Sequence, residues 1–189
     1  AVVRAAVVKY LQDHNYNPEY IREEINTQIN RSFIWTSELV KELERYDQQR
    51  DQFPDLESFM PELVKFFDRT ADRIGAIQKN IEEQRPKVKS LAPFDNKATN
   101  VDPSLTEMIV HFDRPMLGKG YSINFGKAGK EGAPELENIT YSDDQKSIII
   151  SFKLQPNKEY EFILVGKAFK GKNGLGIKNY PIKFKTQGN

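Results

Sequence analysis

Two hydrophobic periods divide the chain. Up to about Gln84 apolar residues recur at the three- and four-residue spacing of a helix face, and from Lys87 they alternate as on a half-buried strand. In the first region Val3, Val7, Tyr10 and Leu11, separated by Arg4, Lys9 and Gln12, predict an amphipathic helix over Ala1–His14. Asn15-Tyr16-Asn17-Pro18 breaks it. Asn17 suits an N-cap and Pro18 the first helical position, and Ile21, Ile25 and Ile29 then trace a narrow stripe to about Asn30. Phe33-Ile34-Trp35 is a short apolar cluster, and Leu39, Val40, Leu43 and Tyr46 mark a third helix over Thr36–Arg50. Leu56, Phe59 and Met60 predict a hydrophobic knot. Pro61 is expected to start the longest helix, with Leu63, Val64, Phe67, Ala71, Ile74, Ile77 and Ile81 on one face and Pro86 beyond its end.

In the second region the first strand is Val88–Leu91. The next, Met108–Phe112, is bounded by turn residues Asp102-Pro103-Ser104 and Asp113-Arg114-Pro115. Tyr121, Ile123 and Phe125 predict a third strand, Leu136–Thr140 a fourth, and Ile148, Ile150 and Phe152 a fifth after the turn Ser142-Asp143-Asp144-Gln145. Tyr160, Phe162 and Leu164 give a sixth, and Pro181–Thr186 the last. About seven short strands over roughly 100 residues is the spacing of an antiparallel sandwich. The expected fold class is therefore α+β as separate units. A helical unit of about four helices spans residues 1–86 and a β-sandwich spans residues 87–189, joined by a short linker at Arg85–Lys87.

Charge supports the division. Residues 1–86 carry 12 Lys/Arg against 16 Asp/Glu, a net of −4, whereas residues 87–189 carry 16 against 11, a net of +5. The opposite signs favour docking of the two units, and Pro86 leaves little slack, so a fixed arrangement is expected. Overall charge is only +1, which provides no global field for nucleic acid or a membrane. No apolar run approaches the ~20 residues of a membrane span. Cysteine is absent, which excludes disulfides, thiolate nucleophiles and Cys-held metals. The chain starts at Ala1 without Met, so a processed protein or an excised fragment is expected.

Several separated motifs in the second region resemble bacterial Ig-like domains of the S-layer type. They are Val101-Asp102-Pro103, then Ile109 to Met116 (IVHFDRPM), Tyr141-Ser142-Asp143-Asp144, Leu154 to Tyr160 (LQPNKEY) and Phe184-Lys185-Thr186. The resemblance covers about Pro86–Gln187. It implies an Ig-like sandwich in an extracytoplasmic setting, periplasmic or at the cell surface, and no activity, since such domains act as spacers, adhesive modules and packing partners of enzymes. In the helical region Phe33-Ile34-Trp35, Leu39-Val40, Tyr46, Arg50 and the run Phe53 to Pro61 (FPDLESFMP) resemble the tail of uncharacterised exported bacterial proteins similar to zinc metallopeptidases. Those carry a His-Glu-x-x-His helix. This chain has only His14 and His111, so that resemblance implies a catalytic part upstream of Ala1.

Candidate chemistry within the chain is sparse. His111 reads as a solvent-facing strand residue and His14 as a favourable cation at a helix end. Asp143 and Asp144 read as a tight turn in preference to a calcium loop, and Asp95, Asn96 and Asp102 likewise. Gly171-Lys172-Asn173-Gly174-Leu175-Gly176 has the composition of a phosphate loop but not the dinucleotide spacing, and no helix follows it. Lys167, Lys170, Lys172, Lys178, Lys183 and Lys185 form the most basic region, with Phe169, Tyr180 and Phe184 interleaved. Tyr16, Tyr20 and Trp35 are the aromatics that the helix stripes explain least.

No catalytic residue, cofactor or metal is expected, and nucleic acid is not an expected partner. The expected function is a non-catalytic accessory, adhesive or spacer module of an exported bacterial protein. Its partner would be an upstream domain of the same parent or another surface protein. The first alternative is the C-terminal tail of a metallopeptidase-like enzyme. The second is a carbohydrate-binding module, whose glycan or partner surface would use Tyr121, Phe169 and Tyr180 with Lys170 and Lys172.

Overall fold

The first N–H groups of a helix need acceptors, and two polar side chains supply them here. Asn17 Oδ1 accepts the Glu19 N–H at 2.8 Å, and Pro18 opens the helix behind it. Asp55 Oδ1 accepts the Ser58 N–H at 2.8 Å, while Ser58 Oγ donates to the Asp55 carbonyl at 2.6 Å. In the computed structural model, which describes residues 1–188, the helices are α1 (Val2–Asp13), α2 (Pro18–Asn30), α3 (Thr36–Gln48) and α4 (Leu56–Gln84). The chain divides into two compact units, Ala1–Gln84 and Arg85–Asn189.

Two expectations for the helical unit are corrected. The longest helix begins at Leu56, not at Pro61, so the predicted knot is its first turns. Asp55 caps that start and Phe59, fully buried, anchors it, while Leu56 and Met60 are exposed. Pro61 is the sixth residue of α4 and forfeits the N–H that would reach the Glu57 carbonyl, and α4 nevertheless continues through it. The buried face of α4 then runs Phe59, Leu63, Phe66 and Thr70, leaving Val64 in solvent.

The second correction concerns α1. It buries Ala5, Val8 and Leu11, whereas Val3, Val7 and Tyr10 are exposed. Residues 1–8 are apolar at every position except Arg4, so periodicity alone does not choose a face. Small Ala5 permits the close approach to α3. The unit's core joins Ala5 and Val8 to Leu39, Val40, Leu43 and Tyr46 of α3 and to Phe59, Leu63 and Phe66 of α4. Ion pairs Arg45–Glu62, Arg69–Glu42 and Arg73–Glu38, at 3.0–3.1 Å, link α3 to α4 at the surface, where such pairs contribute little.

Among the described residues seven antiparallel strands follow: β1 (Val88–Ala92), β2 (Glu107–Phe112), β3 (Ile123–Phe125), β4 (Glu135–Tyr141), β5 (Ser147–Lys153), β6 (Glu159–Leu164) and β7 (Tyr180–Lys185). They form two sheets in the orders β1-β2-β5-β4 and β3-β6-β7. Alternation places Met108, Val110 and Phe112 of β2 with Ile148, Ile150 and Phe152 of β5 on one inner face. Tyr160, Phe162 and Leu164 of β6 with Ile182 and Phe184 of β7 form the other, and one core results. The whole is an α+β chain of four helices followed by a β-sandwich.

Local chemistry fixes the sandwich's corners. Tyr160 Oη accepts the Gln155 N–H at 2.7 Å, tying the turn before β6 to the core. Gly166 and Gly176 cross so closely that a Cβ on Gly166 would lie 2.0 Å from the Ile177 carbonyl oxygen, and one on Gly176 2.3 Å from that of Gly166. Only glycine fits at either point.

Candidate functional site

The sandwich places the five sequence-derived surface residues apart in character. Phe169 is fully buried, 6.5 Å from the Phe112 ring, and offers no face to a sugar. Its assignment to a ligand surface is therefore corrected to core. Phe169 flanks the 3₁₀ turn Gly166–Ala168 that carries the chain back over the sandwich, and Leu175 and Ile177 are buried with it. Tyr180 is half-buried and packs against the core, while Tyr121 is 54% exposed. Lys170 is half-buried, Lys172 is exposed, and Lys183 is paired with Glu161 at 3.0 Å.

The polar candidates are engaged in turns. Asp144 Oδ1 accepts the Lys146 N–H at 3.0 Å and the Ser142 hydroxyl at 2.7 Å, and these bonds hold its carboxyl below the usual range. Asp102 Oδ1 accepts the Ser104 N–H at 2.8 Å, and Asn96 bridges to β7 through the Pro181 carbonyl and the Lys183 N–H. His111 is half-buried, not solvent-facing, and its Nδ1 lies 2.8 Å from Ser147 Oγ across the β2–β5 pair. His14 stacks on Tyr10 with ring centroids 3.9 Å apart. The glycine-rich loop closes on itself, Gly171 N–H donating to the Leu175 carbonyl at 2.9 Å and Gly174 N–H to that of Gly171 at 2.8 Å. Among the described residues no cluster of three or more His, Asp or Glu groups has metal-holding geometry. No helix among them is long and apolar enough to cross a membrane.

What the structure brings together instead is apolar surface. On the helical unit Val3, Val7 and Tyr10 line the outer side of α1. Tyr10, Tyr16 and Tyr20 continue this as a row with neighbouring ring centroids 6.5 and 6.3 Å apart. Trp35 does not join the row; it packs edge-on against Phe33 and Phe67.

On the sandwich the uncovered surface is β3. Ile123 stands opposite Leu164 and Phe125 opposite Phe162, so all four side chains share the inner face. Leu164 and Phe162 are fully buried, yet Phe125 is 52% exposed and Ile123 half-buried. An open cleft of about 770 Å³ lies beside β3, lined by Ile123, Phe125, Pro134, Leu136, Leu154 and Tyr160. The alternation of Tyr121, Ile123 and Phe125 predicts the strand, but it reports which face a residue occupies and not whether that face is covered.

Residues 1–66 match a family model described as a domain of unknown function, DUF4932. No curated protein matches the chain. Among solved structures, the crystal structure of the S-layer protein SbsC is 18% identical over 88% of this chain and 21% of that one, with a TM-score of 0.37. CopC from Methylosinus trichosporium OB3b is 12% identical over 56% of this chain and 96% of that one, with a TM-score of 0.41. Native alpha-2-macroglobulin from Escherichia coli is 20% identical over 53% of this chain and 33% of that one, with a TM-score of 0.35. All three are distant likenesses, and the chain spans about a fifth of the S-layer structure's length.

Proposed function

We propose that the chain is a non-catalytic contact module of an exported bacterial protein, in which an Ig-like sandwich and a helical unit hold or position a neighbouring protein. One observation carries this reading. Each unit folds around its own core and still leaves large apolar side chains in solvent, Val3, Val7, Tyr10, Tyr16 and Tyr20 on one and Tyr121 and Phe125 on the other. Contiguous exposed apolar surface marks a contact in a soluble protein. Export and the Ig-like assignment are supported by the motifs shared with S-layer-type domains, from Val101-Asp102-Pro103 to Phe184-Lys185-Thr186.

Two measurements on the native protein test it. Protease treatment of intact cells, followed with an antibody to this chain, is expected to degrade it, or osmotic shock to release it; co-fractionation with cytoplasmic markers overturns export. A zinc-supplemented peptidase assay is expected to show no turnover by this chain. Turnover by the chain itself overturns the non-catalytic reading. Turnover by a longer parent alone makes the module an accessory of a catalytic part.

A further inference from the structure

The four edges of the two sheets are not alike. Exposed edges invite pairing with other strands, and folded proteins guard them with charge, bulges or covering loops. The outer edge of β7 is covered: Lys97 N–H donates to the Lys183 carbonyl at 2.7 Å, Lys185 N–H to that of Ala98 at 2.8 Å, and Val101 bridges to Thr186. β1 carries Lys89 and a bulge between Val88 and Ser90. β4 carries Glu135 and Glu137 and a bulge between Leu136 and Asn138. The stretch Tyr121 to Gly126 (YSINFG) has no charge, no proline and a regular register.

The ladder shows which groups that edge presents. Val165 N–H donates to the Ser122 carbonyl and Gly126 N–H to the Glu161 carbonyl, at 2.9 and 3.2 Å. Antiparallel bonding alternates, so Ser122, Asn124 and Gly126 bond toward β6, while the N–H and C=O groups of Ile123 and Phe125 point away from it. Among the described residues no other strand pairs with β3. The same two residues turn apolar side chains into the open cleft. A free row of backbone donors and acceptors beside an uncovered inner face is the receiving geometry for an added strand.

Charge identifies the strand it would accept. Lys130, Lys153 and Lys158 border the cleft, with Glu135. Lys153 is neutralised on its own strand pair, 2.6 Å from Glu137 and in register with Glu135. Lys130 and Lys158 pair with no carboxylate among the described residues; Lys158 Nζ reaches only Gln155 Oε1 at 3.3 Å and lies 5.3 Å from the Tyr160 ring centroid. With Glu135 and Glu137 set against the three lysines, the rim keeps a net charge of 3 − 2 = +1.

We propose that β3 accepts an extended, acidic segment of a partner protein as an added strand, whose alternate apolar side chains close the cleft against Phe125 and Leu136. This rests on the contact-module reading and names the partner's chemistry. The bound strand pairs with the backbone of Ile123 and Phe125, and its carboxylates meet Lys130 and Lys158.

The test uses the intact chain and a dye-labelled nonapeptide, Asp-Thr-Val-Thr-Val-Thr-Val-Thr-Asp, whose Asp and Val side chains share one face of the strand, followed by fluorescence anisotropy. Two control peptides carry Lys for every Asp, or Pro for the central Val and its following Thr. Saturable binding of the acidic peptide, about tenfold or more tighter than either control, is expected. Lys130→Glu with Lys158→Glu is expected to reverse the preference between acidic and basic peptides, a result that misfolding does not produce. Phe125→Pro, which deletes one outward N–H and the ring, is expected to remove binding. Equal binding of all three peptides, or no binding of the acidic one up to about 1 mM, overturns the proposal. So does self-association of the chain that Phe125→Pro abolishes, because the occupant is then a second copy. None of these results bears on whether the native protein is exported or lacks turnover, so the proposal and the functional reading fail separately.

Discussion

Phe125 and Phe162 face each other across one rung of the β3–β6 ladder, yet Phe162 is fully buried and Phe125 is half in water. Two residues of the same type, on the same face of the same sheet, thus differ because Phe162 lies within the core cluster and Phe125 borders an open cleft. Phe162→Ala is expected to cost about 3–5 kcal/mol, the range for emptying a buried aromatic site. Phe125→Ser is expected to fall within about 1 kcal/mol of the parent. Urea unfolding of the two variants measures the contrast; similar losses would mean that Phe125 is covered in solution.

Tyr160 offers a second measurement within the same core. Its phenol oxygen is the acceptor of the Gln155 N–H, and its ring packs 5.2 Å from Phe184. Tyr160→Phe keeps the ring and strands the donor, so a loss of about 1–3 kcal/mol is expected. An unfolding free energy equal to the parent's would show that the corner does not depend on this bond.

The crossing of Gly166 and Gly176 predicts intolerance of a single methyl group. Gly166→Ala drives its Cβ into the Ile177 carbonyl, a backbone atom that cannot rotate aside. A cost of about 1–3 kcal/mol is expected, as for other overpacked sites. Gly75→Ala meets nothing within 4 Å on exposed α4 and is expected to stabilise by up to about 1 kcal/mol. Thermal unfolding of the pair should shift in opposite directions.

Alkaline stability reports on Tyr141. Burial pushes its phenol up to about 12, and its hydroxyl donates to the Gly120 carbonyl at 2.9 Å. An unfolded tyrosine ionises near pH ~10, below the folded value. The contribution is therefore complete below about pH 10 and is lost as pH rises from there toward 12. Tyr141→Phe should flatten the fall in unfolding midpoint across that window, and an unchanged slope would show that other groups set it.

Much of this architecture is legible in the residues. The switch of period at Arg85-Pro86 separates helices from strands, and Asn17-Pro18 marks the start of α2 because a cap and a fixed φ act locally. Asp55 and Ser58 are an equally local signal for the start of α4, which the proline that follows obscures. The face of α1 was not legible, since Val3 and Val8 are the same residue type and only the approach of α3 selects between them. Phe169 stands among lysines in the sequence, and its burial beside the turn Gly166–Ala168 shows only in three dimensions. The open edge of β3 is not legible in the sequence either, because alternation reports a face and not what lies against it.

The most direct measurement of the central claim is amide hydrogen exchange at Asn124 and Phe125, in the chain alone and with the acidic nonapeptide at saturation. The account predicts a protected Asn124, bonded toward β6, beside a fast-exchanging Phe125 that slows when the peptide binds. Protection of Phe125 in the chain alone, or an exchange rate that saturating peptide leaves unchanged, would contradict it.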